Sequence, residues 1–455
     1  MVGSFQAAVE RARREPSLLF AALLPEESIS AAFGCVRARW LSRVYSPAVT
    51  VWVFLSQCLS ADHSCRDAVG RLIGWLVACG RRPCSAETGA YCLARDHLPE
   101  DVGHRLLRET GRRPEREAPA AWLWCKHRVV VADGTTLTMA DTPANQAEYP
   151  QLKSQKKGCG FPIVRMVVMF SLAVGTVIER ALGPYEGKQT GENSLLRTLQ
   201  DRLDPGDILL LDRYFSGWFD LATWKQRGVG WVVRKHQLRK IDYRTGRRLG
   251  PDDHLVEWPK PKCPSWMTKE DYEALPATLT VREIRFAVAT PGFRTKTIEV
   301  VTSLLDAIEY PADELASLYR RRWEAELNLR SLKMVLQMDH LRCRTPHRVR
   351  NEIDMHLIAY NLIRGVMAAT AQAAGRTPAS ISFKSTMQAL NNMLPYLLVL
   401  DAAAWSEQLL KMVATSEVGH RPNRYEPRVK KRRPKKYPLL REPRQNYKTR
   451  MAANS

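Results

Sequence analysis

Acidic residues are in short supply. The 455-residue chain carries 47 Asp and Glu against 69 Lys and Arg, a formal charge of +22, which favours a polyanionic partner without separating nucleic acid from an anionic membrane. The ten cysteines include no C-x-x-C pair, so neither a zinc ribbon nor a disulfide framework is suggested and a reducing compartment fits best. A P-loop, an H-E-x-x-H and a G-x-S-x-G are all missing, and the ten histidines show no metal-ligand spacing. Walker-type nucleotide hydrolysis, zinc proteolysis and serine-hydrolase chemistry therefore lose their usual signatures. Long hydrophobic runs are missing too. The longest uncharged apolar run, Tyr45 to Ala61, contains Ser46, Pro47, Ser56 and Gln57 and is too short and polar for a membrane span. No signal peptide precedes it, and the expectation is a cytoplasmic protein.

What is present is a globular composition, 45% hydrophobic and 25% charged, enough for two to four domains with sizeable cores. Residues 1–120 read as a helical N-terminal domain. Ser46-Pro47 starts one of its helices, and Arg95, Arg105, Arg108, Arg112 and Arg113 make it basic enough to bind DNA, although no helix-turn-helix spacing marks a recognition helix. From Arg128 the period changes. RVVVADGTTLTM reads as a buried strand ending at Asp133, and ILLLDRYF as a second that closes on Asp212. Between them lie a meander that turns at Val174-Gly175 and an amphipathic helix from Glu192 to Leu203; a helix from Trp218 and a strand from Gly230 follow. Strands interleaved with helices in this order indicate an α/β fold.

The stretch Asp313 to Asp339, DELASLYRRRWEAELNLRSLKMVLQMD, has neither Pro nor Gly and reads as one helix. At about 100° per residue, Tyr319, Arg322, Glu326 and Lys333 fall within a sector of roughly 60°, spread along about 21 Å of axis. Beside this polar stripe runs an apolar one, Leu318, Ala325, Leu329, Leu332 and Leu336, suited to packing on a sheet. A solvated charged face is the bland alternative. Against it stand one carboxylate amid an excess of Arg, an aromatic hydroxyl in the same sector, and Glu324 on the opposite side.

The spacing Y-x-x-R-x-x-x-E-x-x-x-x-x-x-K, carried by Tyr319, Arg322, Glu326 and Lys333, resembles the signature of the IS-four family of DDE transposases. The resemblance covers about Arg128 to Gly375. It implies an RNase H-like mixed sheet for residues 121–236 and 297–375, interrupted by a β-rich insertion at 237–296; the gap between Asp212 and Glu326, 326 − 212 = 114, is long enough to hold one. It also implies that Asp133, Asp212 and Glu326 form a catalytic, metal-binding triad, and that Tyr319, Arg322 and Lys333 hold the DNA end. Crowded carboxylates need cations between them, and an all-oxygen set selects Mg²⁺ or Mn²⁺. Two such ions about 4 Å apart would clamp an in-line phosphoryl displacement. The implied partners are double-stranded DNA, as terminal inverted repeats and as target, and a second copy of the chain in the DNA complex. Relatives form a hairpin on one DNA end and hold a flipped base with a Trp from the insertion, for which Trp258 and Trp266 are candidates that no motif singles out.

C-terminal helices are expected at 376–420, and 421–455 is a basic tail with 13 Arg and Lys against Glu426 and Glu442, extended or disordered until it meets phosphates. Two rivals to a transposase remain: a nuclease or resolvase of the same fold that cleaves without strand transfer, and a domesticated DNA-binding protein without activity. The intact triad counts against the second.

Overall fold

The computed structural model describes residues 23–36, 40, 44–287, 297–397, 400–418 and 438–453. Five helices come first: α1 (Glu26–Gly34), α2 (Pro47–Leu59), α3 (Cys65–Ala78), α4 (Gly89–Asp96) and α5 (Glu100–Arg116). As the Ser-Pro pair suggests, the Ser46 side chain accepts from Val49 N and Pro47 occupies the first turn of α2, where no amide partner is needed. Their apolar faces join one core with the sheet and the C-terminal helices.

The sheet is built from β1 (Val129–Met139), β2 (Ile163–Ser171), β3 (Val177–Pro184), β4 (Ile208–Leu211) and β5 (Gly230–Arg234), with the short helices α6 (Pro143–Glu148) and α7 (Glu192–Arg197) and the longer α8 (Trp218–Gln226) between them. β1, β2 and β3 pair antiparallel, whereas β4 and β5 run parallel to β1. The strand order β3-β2-β1-β4-β5 is the mixed, RNase H-like arrangement expected. Both β1 and β4 are apolar runs because helices cover both sheet faces.

The segment after β5 forms β6 (Arg247–Gly250), β7 (Asp253–Pro259), α9 (Lys269–Ala274) and β8 (Thr278–Ala287), and β9 (Thr297–Thr302) pairs antiparallel with both β8 and β5. The insertion thus continues the core sheet. Its interior holds paired polar groups: Arg282, fully buried, holds Asp253 at 2.6 and 2.8 Å, and Glu283 accepts from Trp258 Nε1 at 2.9 Å. That hydrogen bond and the Arg239 guanidinium over its ring keep Trp258 buried, while Trp266 lies under Arg197.

α10 (Ala312–Arg321), α11 (Trp323–Arg330) and β10 (His340–Leu341) lead to α12 (Pro346–Ala373), the long central helix, followed by α13 (Phe383–Met393) and α14 (Ala402–Ala414). α12 is locked to β3 by Arg180, which bonds Asp354 through two contacts of 2.7 and 2.8 Å. At the β2–β3 turn, Gly175 has φ +73°, and a Cβ there would stand 1.4 Å from Arg364 Nη2 of α12. Only glycine permits both the turn and the contact.

Three expectations are corrected. Asp133 does not end its strand: β1 continues to Met139, but its pairing with β4 stops at Val131↔Leu210, so Asp133 stands just past the point where the two strands part. The single helix expected over Asp313 to Asp339 is not uniform. Arg322 interrupts it, with amide bonds closing over three residues (Arg322 N to Tyr319 O, Ala325 N to Arg322 O), and Ser331–Val335 is a π-turn closed by Leu336 N on Ser331 O. The end of the basic tail is ordered as α15 (Arg444–Ala453), with no buried residue, whereas Tyr425, Tyr437 and the cluster from Arg428 to Lys436 lie outside the described residues.

Candidate active site

The three carboxylates arrive from two strands and a helix. Asp133 projects from β1 beyond its pairing with β4; Asp212 is the first residue after β4, where the chain leaves the sheet for a 3-10 turn; Glu326 stands on α11, whose buried Ala325 and Leu329 face the core. Burial pushes the Asp133 carboxyl up to about 6; the Gly134 amide, bonded to Oδ1 at 2.9 Å, and Arg322 oppose the rise, and Glu326 and Glu192 add to it. Among the described residues, no hydrogen bond or ion pair reaches the Asp212 carboxylate.

Arg322 links two of the three. Its Nη2 donates to Glu326 Oε1 at 2.7 Å, and its Nη1 lies 4.0 Å from Asp133 Oδ2. Tyr319 is 5% exposed beneath it, and burial, with the Asp212 charge, holds its hydroxyl protonated well above the usual range. Lys333, in the π-turn, reaches across to β1 and donates to Thr136 O at 3.0 Å. Glu324, on the other side as expected, pairs with Arg321 at 2.8 Å.

The sequence reading missed Glu192. It opens α7, and its carboxylate lies across the backbone of Gly134. The glycine in Asp-Gly-Thr was the available signal, since a residue that clears its own backbone for a neighbour is often glycine.

The donor chemistry fits hard divalent cations: three carboxylates, no sulfur or imidazole, and a guanidinium standing where positive charge is needed. As arranged around Arg322, no three His, Cys, Asp or Glu side chains among the described residues are gathered closely enough to hold an ion. With Arg322 released from Glu326, the carboxylates would require another cation.

A family model for the transposase DDE domain matches residues 124–362, more than half of the chain. The chain belongs to the DDE transposase family. It is 28% identical over 397 residues, 85% of this chain and 86% of its relative, to the transposase InsG for insertion sequence element IS4 of Escherichia coli (strain K12), in accord with the IS-four resemblance. A cryo-EM structure of a piggyBac transposase synaptic complex with hairpin DNA is a distant likeness, with a TM-score of 0.42, 11% identity, and coverage of 89% of this chain and 86% of that one. The chain is therefore a transposase, an enzyme of DNA phosphodiester chemistry, and its partner is DNA. The matched segment contains Asp133, Asp212, Glu326 and the whole polar stripe. Among the described residues, no helix of this DDE transposase is long and apolar enough to cross a membrane.

Proposed function

We propose that Asp133, Asp212 and Glu326 are the metal-holding catalytic triad of this transposase, and that it cuts transposon ends by hydrolysis and joins the freed 3′-OH to target DNA. The carrying observation is that one guanidinium, Arg322, bonds Glu326 at 2.7 Å and lies 4.0 Å from Asp133 at the opening between β1 and β4, where the strand that leads to Asp212 also ends. Mg²⁺ or Mn²⁺, as two ions, would supply an activated water or 3′-hydroxyl and charge stabilisation of the departing oxygen. The chain's own groups do the rest. Asp133 and Asp212, fixed to adjacent strands, and Glu326, fixed to α11, keep the reacting phosphate in one place through both steps. In the first step a water oxygen displaces the 3′-oxygen; in the second that 3′-oxygen displaces the 3′-oxygen of a target phosphodiester.

Arg322, once free of Glu326, and Lys333 present cations to the phosphates flanking the scissile bond, and Tyr319 supports Arg322 from below. A hairpin intermediate, a two-copy DNA complex and a DNA-binding role for residues 1–120 belong to the same proposal and rest on the family resemblance; of the α5 arginines, Arg108, Arg112 and Arg113 are spent on Glu179, Arg202 O and Leu23 O.

The test is a labelled transposon end incubated with Mg²⁺ and target DNA. Asp133→Ala, Asp212→Ala and Glu326→Ala should each abolish nicking and joining yet bind the end nearly as well as wild type. Substantial cleavage by Glu326→Ala would sink the triad, and cleavage without joining by the wild type would identify a nuclease.

A further inference from the structure

Beyond Asp133, β1 carries polar residues. Thr135, Thr136 and Thr138 are half-buried, Lys333 reaches across to Thr136 O at 3.0 Å, and Thr138 Oγ1 donates to Asp339 O at 3.0 Å. Five residues separate Asp133 from Thr138 (138 − 133), about 17 Å at the rise of an extended strand. At Thr138↔Ile163 the chain returns as β2, after a loop, 149–162, that joins it to α6.

That loop is exposed yet fixed. Residues 153–158 are all exposed, so no apolar burial holds them. Gln151 holds them instead. Its Oε1 accepts from Gly158 N at 3.0 Å and Gly160 N at 3.2 Å, and its Nε2 donates to Gln155 O at 3.2 Å and Lys156 O at 2.9 Å. Gln146 of α6 anchors the clamp, accepting from Gln151 N and donating to Gly160 O, both at 3.0 Å. Gly158, at φ +77°, supplies the left-handed residue that the turn requires.

The turn presents two unpaired cations. Lys153 is engaged by Glu186, which accepts its amide at 2.9 Å and lies 3.8 Å from its Nζ. Among the described residues, no hydrogen bond or ion pair reaches the side chain of Lys156 or Lys157. Ordering a loop that buries nothing apolar adds little to the stability of the fold, whereas a binding loop ordered in advance spares that cost on binding. The neighbours set the charge of the partner. Pro443, at the ordered end of the basic tail, stands 3.2 Å from where a Cβ on Gly158 would lie, and Lys333 lies along the same extension of β1.

We propose that the turn clamped by Gln151 is a preformed contact for the DNA backbone, with Lys156 and Lys157 on phosphates at least about 17 Å beyond Asp133. That distance is on the order of five nucleotides of a duplex strand. Counting it from the scissile phosphate rests on the triad proposed above.

The experiment measures binding of the full chain to a labelled transposon-end duplex in Ca²⁺, with single phosphates replaced in turn by neutral methylphosphonate. Wild type should lose affinity at two sets of positions, around the scissile bond and about five or more nucleotides from it. The double variant Lys156→Ala, Lys157→Ala should abolish the distal loss and keep the loss at the scissile bond. It should also lower the slope of log affinity against log salt by about 1.8, or 0.9 for each lysine. Gln151→Ala keeps every charge and should bind on the order of fivefold more weakly, because the released turn must be ordered again. Thermal unfolding at the wild-type midpoint would show that both variants keep the core. An unchanged slope and distal loss in the double variant would overturn the contact and leave the triad standing. Wild-type affinity in Gln151→Ala would overturn the preformed clamp. A wild type without loss around the scissile bond would overturn the triad's placement, while the slope of the double variant would still decide the contact.

Discussion

Arg322 and Glu326 are one helical turn apart and bonded at 2.7 Å, so the residue proposed to grip DNA neutralises the residue proposed to hold metal. The pair cannot serve both tasks at once. Metal entry should free Arg322 for phosphate, which couples the loading of the site to the gripping of the DNA end.

Arg322→Ala removes the internal cation. The metal-free variant should melt below wild type, and its gain on adding Mg²⁺ should exceed the wild-type gain, since the ion then relieves a repulsion that Arg322 otherwise relieves. On a labelled end, nicking should survive in part, while joining, which needs phosphates held within a fraction of an ångström, should fall further. Arg322→Lys would restore charge without the forked contact and give partial recovery. Equal loss of nicked and joined products, with no change in the Mg²⁺ gain, would reduce Arg322 to a structural role.

Much of this arrangement was visible in the residues. The runs Val129–Val131 and Ile208–Leu211 are apolar because both sheet faces are covered, and the stripe from Tyr319 to Lys333 follows from helical phase. Other features depend on contacts that periodicity does not encode. Glu192 lies 58 residues beyond Gly134 (192 − 134), and only tertiary packing of α7 puts the two together. The π-turn at Ser331–Val335 is a change of hydrogen-bond closure within an unbroken helical pattern, so composition shows nothing of it. Asp133 resembled a strand end because the apolar run stops there, yet backbone pairing with β2 carries the strand on through polar threonines.

Glu179 should govern acid stability. Burial of this β3 residue would raise its carboxyl, but a hydrogen bond from His104, the Arg180 amide and Arg108 at 2.7 Å outweigh it and hold the carboxyl at about 2. A depressed carboxyl stabilises the fold above its unfolded value of 4.5 and loses that contribution as pH falls from there through about 2. The difference corresponds to about 3 kcal/mol. Urea unfolding of wild type and Glu179→Gln should therefore show a gap near that size at pH 7 that narrows steadily below about pH 4.5. A gap of constant width from pH 7 to pH 3 would rule out this linkage.

At Gly175 two costs can be separated. Alanine there would incur about 1–2 kcal/mol for the left-handed backbone and, in addition, displace the Arg364 guanidinium from its seat. Arg364 Nε donates to Val174 O at 3.0 Å, so the displacement loses a buried hydrogen bond. In a double-mutant cycle, Gly175→Ala should cost less in an Arg364→Ala background than in wild type, by at least about 1 kcal/mol. Strict additivity would mean that the backbone alone accounts for the glycine.

The tail makes its prediction through salt. Residues 421–455 carry 13 Arg and Lys and two Glu, 13 − 2 = +11, half of the formal charge of +22 for the whole chain. Its last helix, α15, has no buried residue, and Pro443 just ahead of it would lie 3.2 Å from a Cβ on Gly158, next in the chain to Lys156 and Lys157. Each cation that neutralises a phosphate on duplex DNA adds about 0.9 to the slope of log affinity against log salt. If about five of the 13 engage, deleting Arg421 to Ser455 should flatten that slope by roughly 4 to 5, for transposon ends and unrelated DNA alike. Competition binding from 50 to 200 mM salt measures it. A slope that flattens only for transposon ends would make the tail a reader of sequence, and an unchanged slope would remove it from the DNA interface altogether.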